Sequence, residues 1–246
     1  MSLKNRLIIG RQPVIEAINN ATTIEKILLQ SSASGDAINS IKGLAREHQI
    51  PIQYVPQEKL NSFTTINHQG VLAIASIINY LSLEELLAEV VEQNYSPLFV
   101  MLDGVTDVRN IGAIARSALC CGAQAIIIPD KGVGALNEDA IKSSAGALEQ
   151  LRICRVNSLM KTVEELRANG IMVYGSEMTA NTSVTQLDFK EPACVIMGNE
   201  NKGIYPPLLK ICHEKFNIPM AGKFESYNVS VAAGIILFEA LKQRMN

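Results

Sequence analysis

Residues 98–129 read LFVMLDGVTDVRNIGAIARSALCCGAQAIIIP. The short apolar run at each end predicts a buried strand, and the spacing between them predicts a helix over residues 110–121 that Gly122 ends. The same alternation continues to the C-terminus. It predicts strands at 151–156, 172–176, 194–197 and 215–219 and helices at 137–147, 158–169, 206–212 and 228–244. Apolar strands alternating with helices are typical of an α/β fold, a parallel sheet covered on both faces.

The first 78 residues predict a second, smaller α/β unit. The helices are expected at 13–19 and 35–48, and the strands at 26–30, 52–56 and 71–77. Residues 82–93, SLEELLAEVVEQ, predict an amphipathic helix that Ser82 and Glu85 cap. We therefore predict an N-terminal domain over residues 1–78, a helical linker over 79–95 and a larger domain over 96–246.

The overall composition is that of a globular protein. The chain has 246 residues, of which 48% are hydrophobic and 19% are charged. Its formal net charge of −2 does not by itself indicate a nucleic-acid binder. Residues 79–95 contain four Glu and no Lys or Arg. Because the acidic excess lies in this segment, the net charge of −2 is compatible with a basic surface elsewhere. Aromatic residues make up only 5%, which argues against RNA binding by rows of stacked rings.

Several function classes find no support in the chain. The five cysteines have no CxxC spacing, which argues against a zinc site or a disulfide framework and fits a reducing cytosol. Neither a glycine-rich dinucleotide fingerprint nor a phosphate-binding P-loop is present. Apolar runs of about 18 residues, which a membrane span needs, are also missing. We expect a cytoplasmic protein without a metal.

The chemistry is expected where strands lead into helices, because ligands of such sheets bind beyond the carboxyl ends of the strands. The first junction contains Asn110 and Arg116. Asn110 is equally typical of a helix N-cap, and Arg116 of a solvated cation. Arg116 points away from the predicted apolar stripe of its helix, where a guanidinium could bind phosphate.

Two later junctions have the same character. In CVIMGNENKGI (194–204), Gly198 and Gly203 allow tight turns around the single carboxylate of Glu200. In IPMAGKFESYNVSVAAGIILFEAL (218–241), Ser226 and Asn228 precede a strongly apolar helix. Each feature alone is also typical of an ordinary turn or cap. His68, in the segment HQGVLA (68–73), has no partner spacing that indicates a metal site or a catalytic triad.

Taken together and in order, the motifs NxGAIARxAxxxGA, MGNExxGI and IPMxGxxxSxNVSVAAGI resemble those of the SpoU (TrmH) branch of the SPOUT RNA methyltransferases. The N-terminal segments IIGRQPVIEAI and HQGVLA resemble the small L30e-like RNA-binding domain of the RlmB-type enzymes. Those enzymes methylate the ribose 2′-hydroxyl of a guanosine in 23S ribosomal RNA. The resemblance covers residues 7–244.

This resemblance implies a catalytic domain with a deep trefoil knot, an S-adenosylmethionine pocket at the knot and a homodimer that acts on RNA. The catalytic positions of the family fall on Asn110, Arg116, Glu200, Ser226 and Asn228. Its cofactor-contacting positions fall on Gly198, Ile218 and Tyr227. Tyr227 stands where the family usually has Leu, and the Phe224–Glu225 pair before it adds charge.

The reaction that the resemblance implies is attack of a ribose 2′-hydroxyl on a sulfonium methyl group. Arg116 would bind the adjacent phosphate or act as a base, and we favour the first role because arginine normally stays protonated. Two alternatives stay open. One is a related enzyme that acts on transfer RNA or another ribosomal site, and the other is a noncatalytic RNA-binding protein with the same fold.

Overall fold

The structure is a computed structural model in which the chain forms two compact units, Met1–Asn79 and Tyr80–Asn246. The residues described below are 6–20, 22–48, 50–76, 78–93, 95–134, 136–222 and 226–245.

A four-stranded mixed sheet forms the centre of the N-terminal unit. Its elements are β1 (Leu7–Ile9), α1 (Arg11–Asn19), β2 (Ile24–Gln30), α2 (Asp36–Glu47), β3 (Ile52–Val55), α3 (Gln57–Asn61) and β4 (Val71–Ala75). The strand order is β1-β4-β2-β3, with only β2 and β3 parallel. Alternate residues of β2 point to opposite faces: Ile27 packs in one buried cluster with α1 and α2, and Leu28 in another with α3.

The second unit is built on an eight-stranded sheet in which every paired strand is parallel. The strand order is β10-β12-β9-β11-β6-β7-β8-β5. Its strands are β5 (Tyr80–Leu81), β6 (Leu98–Leu102), β7 (Ala125–Pro129), β8 (Arg152–Val156), β9 (Met172–Ser176), β10 (Thr182–Ser183), β11 (Ala193–Met197) and β12 (Glu214–Asn217). Its α-helices are α4 (Leu83–Gln93), α5 (Val108–Cys120), α6 (Glu138–Ser143), α7 (Ala147–Gln150), α8 (Leu159–Ala168), α9 (Pro206–Lys210) and α10 (Val229–Arg244).

The predicted α/β class and the parallel sheet are confirmed. The strands β6 and β11 are buried along their whole length, as expected for strands covered on both faces. The predicted knot stays a prediction.

The single helix predicted over residues 137–147 is wrong, because α6 and α7 are separate. Between them Ala145 and Gly146 have positive φ angles of 50° and 84°. Gly112 of α5 explains the close approach at the end of α6, since a Cβ atom there would overlap Ser143 and the backbone of Ala140. The two helices separate at this positive-φ pair, next to a contact with α5 that periodicity in one segment does not reveal.

The helix expected as an interdomain linker packs inside the second unit. Its capping box is present: Ser82 N donates to Glu85 Oε2 at 2.7 Å, and Glu85 N donates to Ser82 Oγ at 3.2 Å. Leu83 and Leu86 lie in the buried core of that unit, and Glu89 pairs with Arg152 of β8. The apolar stripe of α4 therefore completes a domain core rather than bridging two domains.

All five cysteines are free thiols. Burial raises the pKa of Cys154 to about 12, so this thiol stays protonated and is not a nucleophile. Among the residues that the structure describes, no group of His, Cys, Asp or Glu is arranged to hold a metal ion. Within the same residues, no helix is both long and apolar enough to cross a membrane.

Candidate active site

The loop after β11 is held by close backbone packing. Gly198 follows the buried strand directly, and a Cβ atom at this position would overlap the backbone of Gly203 and Ile204. Gly203 has a φ of 67°, in the left-handed region that favours glycine. The loop can therefore close in this form only with glycine at residue 198.

Asn199 fixes the rest of this loop. Its Oδ1 accepts hydrogen bonds from the backbone N–H groups of Asn201 and Lys202, at 2.9 and 3.2 Å. Its Nδ2 donates to the carbonyl of Gly104 at 2.8 Å, which ties the loop to the segment after β6. These bonds place Glu200 at the tip of the loop with an exposed side chain.

Three of the predicted catalytic residues meet at this tip. Glu200 Oε1 accepts a short hydrogen bond from Asn110 Nδ2 and a second one, at 3.2 Å, from Asn228 Nδ2. Asn228 Nδ2 also lies 3.2 Å from Asn110 Oδ1. Each side chain comes from a different strand-to-helix junction. We call these three residues the carboxylate–amide cluster.

The helix caps explain why two of these amides are available. Asn228 is the N-cap of α10, and its Oδ1 accepts from Ser230 N at 2.9 Å, which turns Nδ2 toward Glu200. Asn110 is not a cap, because Asp107 caps α5 and accepts from Arg109 N at 2.8 Å. Asn110 thus lies inside the first turn, with its amide free to join the cluster.

Asp107 was not predicted as part of the site, although an aspartate just before the helix is a cap signal. The hydrogen bonds from Arg109 lower the pKa of Asp107 to about 2. Asp107 is therefore ionised at neutral pH, where a negative charge at a helix N-terminus is favourable. Its contribution is to fix the start of α5 and, through it, Asn110.

A cavity of about 640 Å³ lies beside the cluster. It is bounded by the carboxyl ends of β9, β11 and β12 and by the start of α10. The three predicted cofactor-contacting residues Gly198, Ile218 and Tyr227 all line it, as do the predicted catalytic residues Glu200 and Ser226. These five residues come from two segments of the chain, 198–200 and 218–227, and share one cavity.

Tyr227 is among the residues that line this cavity. Its side chain is exposed, and its hydroxyl donates to the carbonyl of Pro219 at 3.5 Å. Tyr227 thus contacts the segment that follows β12. The Phe224–Glu225 pair, which the sequence singled out, lies outside the described residues.

Arg116 does not join the cluster. It lies on α5 six residues after Asn110, which corresponds to about 9 Å along the helix axis and about 120° around it. Its side chain is exposed and makes no hydrogen bond or ion pair within the part of the chain that the structure describes. The predicted catalytic arginine therefore faces solvent, accessible to a large partner.

Comparison with known proteins agrees with this geometry. Residues 97–238 match the model of the SpoU rRNA Methylase family. Residues 7–81 match a second model, described as RNA 2′-O ribose methyltransferase substrate binding. A Bacillus subtilis protein assigned to the TrmH family of tRNA/rRNA methyltransferases is 35% identical over 99% of this chain and 98% of its own length.

Two solved structures extend the likeness to the fold. The SpoU methyltransferase AviRb from Streptomyces viridochromogenes, in complex with AdoMet, has a TM-score of 0.61 and is 26% identical, over 97% of this chain and 90% of its own. A TrmH/SpoU tRNA modifying enzyme of A. aeolicus has a TM-score of 0.54 and is 27% identical, over 66% of this chain and 84% of its own.

A parallel α/β unit with this cavity and cluster, preceded by a substrate-binding unit, defines an RNA 2′-O-ribose methyltransferase. The chain belongs to the SpoU family of the SPOUT superfamily. S-adenosylmethionine is the methyl donor of this family.

Proposed function

We propose that this enzyme methylates a ribose 2′-hydroxyl in ribosomal RNA, with a guanosine of 23S ribosomal RNA as its target. The observation that carries the reaction is the carboxylate–amide cluster at the rim of the cavity in the second unit. The family description names ribosomal RNA, and the N-terminal unit matches a substrate-binding domain, which supports a large structured RNA as substrate. The named nucleotide rests on the resemblance of the N-terminal motifs to the RlmB type.

The cavity fits the cofactor on its own chemistry. Its volume lies within the roughly 300–1,000 Å³ typical of small-molecule sites. Met197, Ile218 and Val229 offer apolar surface to a flat ring, and the glycine at residue 198 lets the loop that borders the cavity close on itself. When bound there, S-adenosylmethionine supplies an electrophilic methyl group on a positively charged sulfur. Gly198, Ile218 and Tyr227 are the residues that would hold it.

The cluster would orient the ribose at the mouth of this cavity. The two amides fix the carboxylate of Glu200, so its second oxygen can accept a hydrogen bond from the ribose or from an incoming guanidinium. Ser226 borders the same cavity and adds a hydroxyl for ribose or phosphate. Fixed geometry of this kind matters because a 2′-hydroxyl is a weak nucleophile that must be held in line with the methyl group.

Arg116 would bind the RNA rather than remove the proton of the ribose 2′-hydroxyl. A guanidinium normally stays protonated, which suits binding of the phosphate next to the target ribose. The exposed position of Arg116 agrees with this role, since an arriving RNA can contact it directly.

We also propose that the enzyme is a homodimer formed through α10. The outer side of this helix carries Val231 and Phe238, which are 50% and 63% exposed, with Gly234 and Ile235 between them. A helix that is apolar on all sides is normally buried on all sides. Sedimentation of the wild type as a dimer and of Phe238→Glu as a monomer is the expected result. A monomeric wild type at micromolar concentration would refute the dimer.

The target is tested by mapping 2′-O-methylation in ribosomal RNA from cells with and without this protein. Loss of one methylated guanosine in 23S ribosomal RNA is the expected result. Transfer RNA from the same cells is mapped in parallel, because relatives are described as tRNA/rRNA methyltransferases and one matching structure as a tRNA modifying enzyme. Loss of a transfer RNA mark, with ribosomal RNA unchanged, would replace the proposed substrate.

Calorimetry with S-adenosylmethionine separates the enzyme from a noncatalytic RNA-binding protein. We expect the purified protein to bind the cofactor with one site per chain. Absence of binding would favour the noncatalytic alternative. We place the reaction in the cytoplasm, where ribosomal RNA and reduced thiols occur together.

A further inference from the structure

A second cavity, of about 480 Å³, lies wholly within the N-terminal unit. Its lining includes five amide side chains, three hydroxyls and one arginine, with no carboxylate among the lining residues. The two N-terminal motifs of the sequence converge on it, since Arg11 belongs to the first, and His68, Gln69 and Gly70 belong to the second. We call this cavity the amide cavity.

His68 organises one wall of the amide cavity. The ring is buried, with only 6% of the residue exposed. Its Nδ1 accepts the backbone N–H of Gly70 at 3.0 Å, so the ring proton is assigned to Nε2, which donates to Asn61 Oδ1 at 2.9 Å. The amide Nδ2 of Asn61 then has no partner among the described residues and is left for a ligand.

Arg11 is held at the same wall by Gln69. The backbone N–H of Arg11 donates to Gln69 Oε1 at 3.2 Å, and Arg11 Nε donates to the Gln69 carbonyl at 3.0 Å. The terminal guanidinium nitrogens make no further bond within the described residues. Gln69 has a φ of 51°, an uncommon conformation for a residue with a side chain, and such strain often marks a ligand site.

We infer that the amide cavity binds one unpaired nucleotide of the substrate RNA. Side-chain amides and hydroxyls both donate and accept, which matches the hydrogen-bonding edge of a base that has left its helix. A phosphate alone would call for several cations, and the cavity has one, Arg11, which suits the single phosphate of that nucleotide. The inference rests on the proposed function, because it takes RNA as the substrate.

The first test compares two arginine variants of the full chain by fluorescence anisotropy. The probes are an RNA hairpin with a single-stranded loop and a blunt RNA duplex of the same length. Arg11→Ala should weaken hairpin binding about fivefold or more and duplex binding much less. Arg46→Ala is the matched control, since Arg46 is exposed on α2, does not line the amide cavity and carries the same charge. Equal effects of both variants on the hairpin would overturn the inference.

A second pair of variants compares a bulky side chain inside the amide cavity with the same side chain outside it. Ser34 is exposed and lines the cavity, whereas Ser40 is exposed on α2 and does not. Ser34→Trp should weaken hairpin binding to a similar degree, and Ser40→Trp should bind as the wild type does. Wild-type affinity in Ser34→Trp would also overturn the inference. Because neither change removes a hydrogen bond that the structure shows, loss of folding is not expected to obscure the result.

A hairpin whose loop has abasic sugars tests whether a base is read. The wild type should bind this probe about as weakly as Arg11→Ala binds the intact hairpin. Undiminished binding would mean that the cavity contacts only the backbone, which overturns the inference.

Cofactor calorimetry and methyl transfer on ribosomal RNA from cells that lack the protein are measured beside the binding tests. A wild type that binds the hairpin through the amide cavity but transfers no methyl group would refute only the proposed function. Methyl transfer by a protein whose amide cavity is dispensable for hairpin binding would refute only the inference.

Discussion

The two cavities described above differ in the chemistry of their lining residues. The amide cavity presents side-chain donors and acceptors around one arginine, whereas the cavity beside the carboxylate–amide cluster combines apolar side chains such as Met197, Ile218 and Val229 with lysine, asparagine and carboxylate side chains. Polar edges suit a large ligand that is read piece by piece. A partly apolar pocket with the carboxylate of Glu200 among its lining residues suits a small molecule that is enclosed and reacts at one end. The two proposals together divide recognition and chemistry between the two units.

The interactions that maintain the shape of the two cavities differ as well. Hydrogen bonds between side chains and backbone, centred on His68 and Gln69, hold the amide cavity. Backbone packing at Gly198 holds the cavity of the second unit, where a Cβ atom is not tolerated. Changes in the second unit, apart from those at Arg116, are therefore expected to alter cofactor binding or methyl transfer and to leave RNA affinity almost unchanged. The predictions below test this separation.

Arg116→Ala is expected to have the largest effect on methyl transfer. Removal of one electrostatic group aimed at the reacting centre typically costs about 10²–10³-fold in rate. We expect a loss in single-turnover transfer at the upper end of this range or beyond it, with cofactor affinity in calorimetry near that of the wild type. Arg116→Lys keeps the charge and should retain more activity if Arg116 binds phosphate. Full activity of Arg116→Ala would show that Arg116 is not part of the active site.

Glu200→Ala is expected to lower the rate by about 10²-fold, because it leaves the amides of Asn110 and Asn228 without their shared acceptor. Glu200→Gln keeps an acceptor oxygen but not the charge, and an intermediate rate is expected. Single-turnover transfer gives the rates, and hairpin anisotropy should show unchanged RNA affinity. If Glu200→Ala weakened RNA binding as much as Arg11→Ala, the division between the units would be wrong.

Gly198→Ala is expected to destabilise the second unit by about 1–3 kcal/mol, the usual cost of inserting atoms into a packed site. The added Cβ atom must displace the backbone of Gly203, and cofactor affinity should fall with it. Chemical denaturation and calorimetry measure the two effects. Gly222→Ala is the matched control, since a Cβ atom there has no neighbour within 4 Å. Equal stability of both variants would contradict the backbone-packing explanation.

Tyr227→Leu is expected to have the smallest effect. It restores the residue that the family usually has and removes the contact between the Tyr227 hydroxyl and the Pro219 carbonyl, which at 3.5 Å is long. We expect cofactor affinity to change by less than about fivefold, the equivalent of about 1 kcal/mol. Calorimetry with the cofactor checks this. A larger loss would mean that the tyrosine ring shapes the pocket.

Sequence patterns predicted the large features because these depend on local periodicity. The apolar runs of β6 and β11 indicate strands buried on both faces wherever they lie in the fold. The break between α6 and α7 lies instead where the end of α6 packs closely against Gly112, a residue of another helix. Periodicity within one segment contains no information on such a contact.

The functional sites also include parts that the sequence predicted and parts that it did not. Motif order predicted that Asn110, Glu200 and Asn228 belong together, and their side chains do meet. The sequence also allowed Asn110 to be the N-cap of α5, but the structure has Asp107 there. The two positions are hard to tell apart from the sequence, because asparagine and aspartate both favour an N-cap and lie only three residues apart. The amide cavity was not predicted, since it arises where Arg11, Gln30, Asn61 and Gln69 converge from four separate segments.

The residues of the carboxylate–amide cluster are far apart in sequence, which has a consequence for synthesis of the chain. Asn110 is separated by 90 residues from Glu200 and by 118 from Asn228. Contacts this distant in sequence form late, because the closing of long loops must be completed first. A nascent chain still attached to the ribosome has Asn110 without its partners until α10 has been synthesised. We therefore expect activity only after α10 has been synthesised, so that chains lacking this helix do not modify RNA.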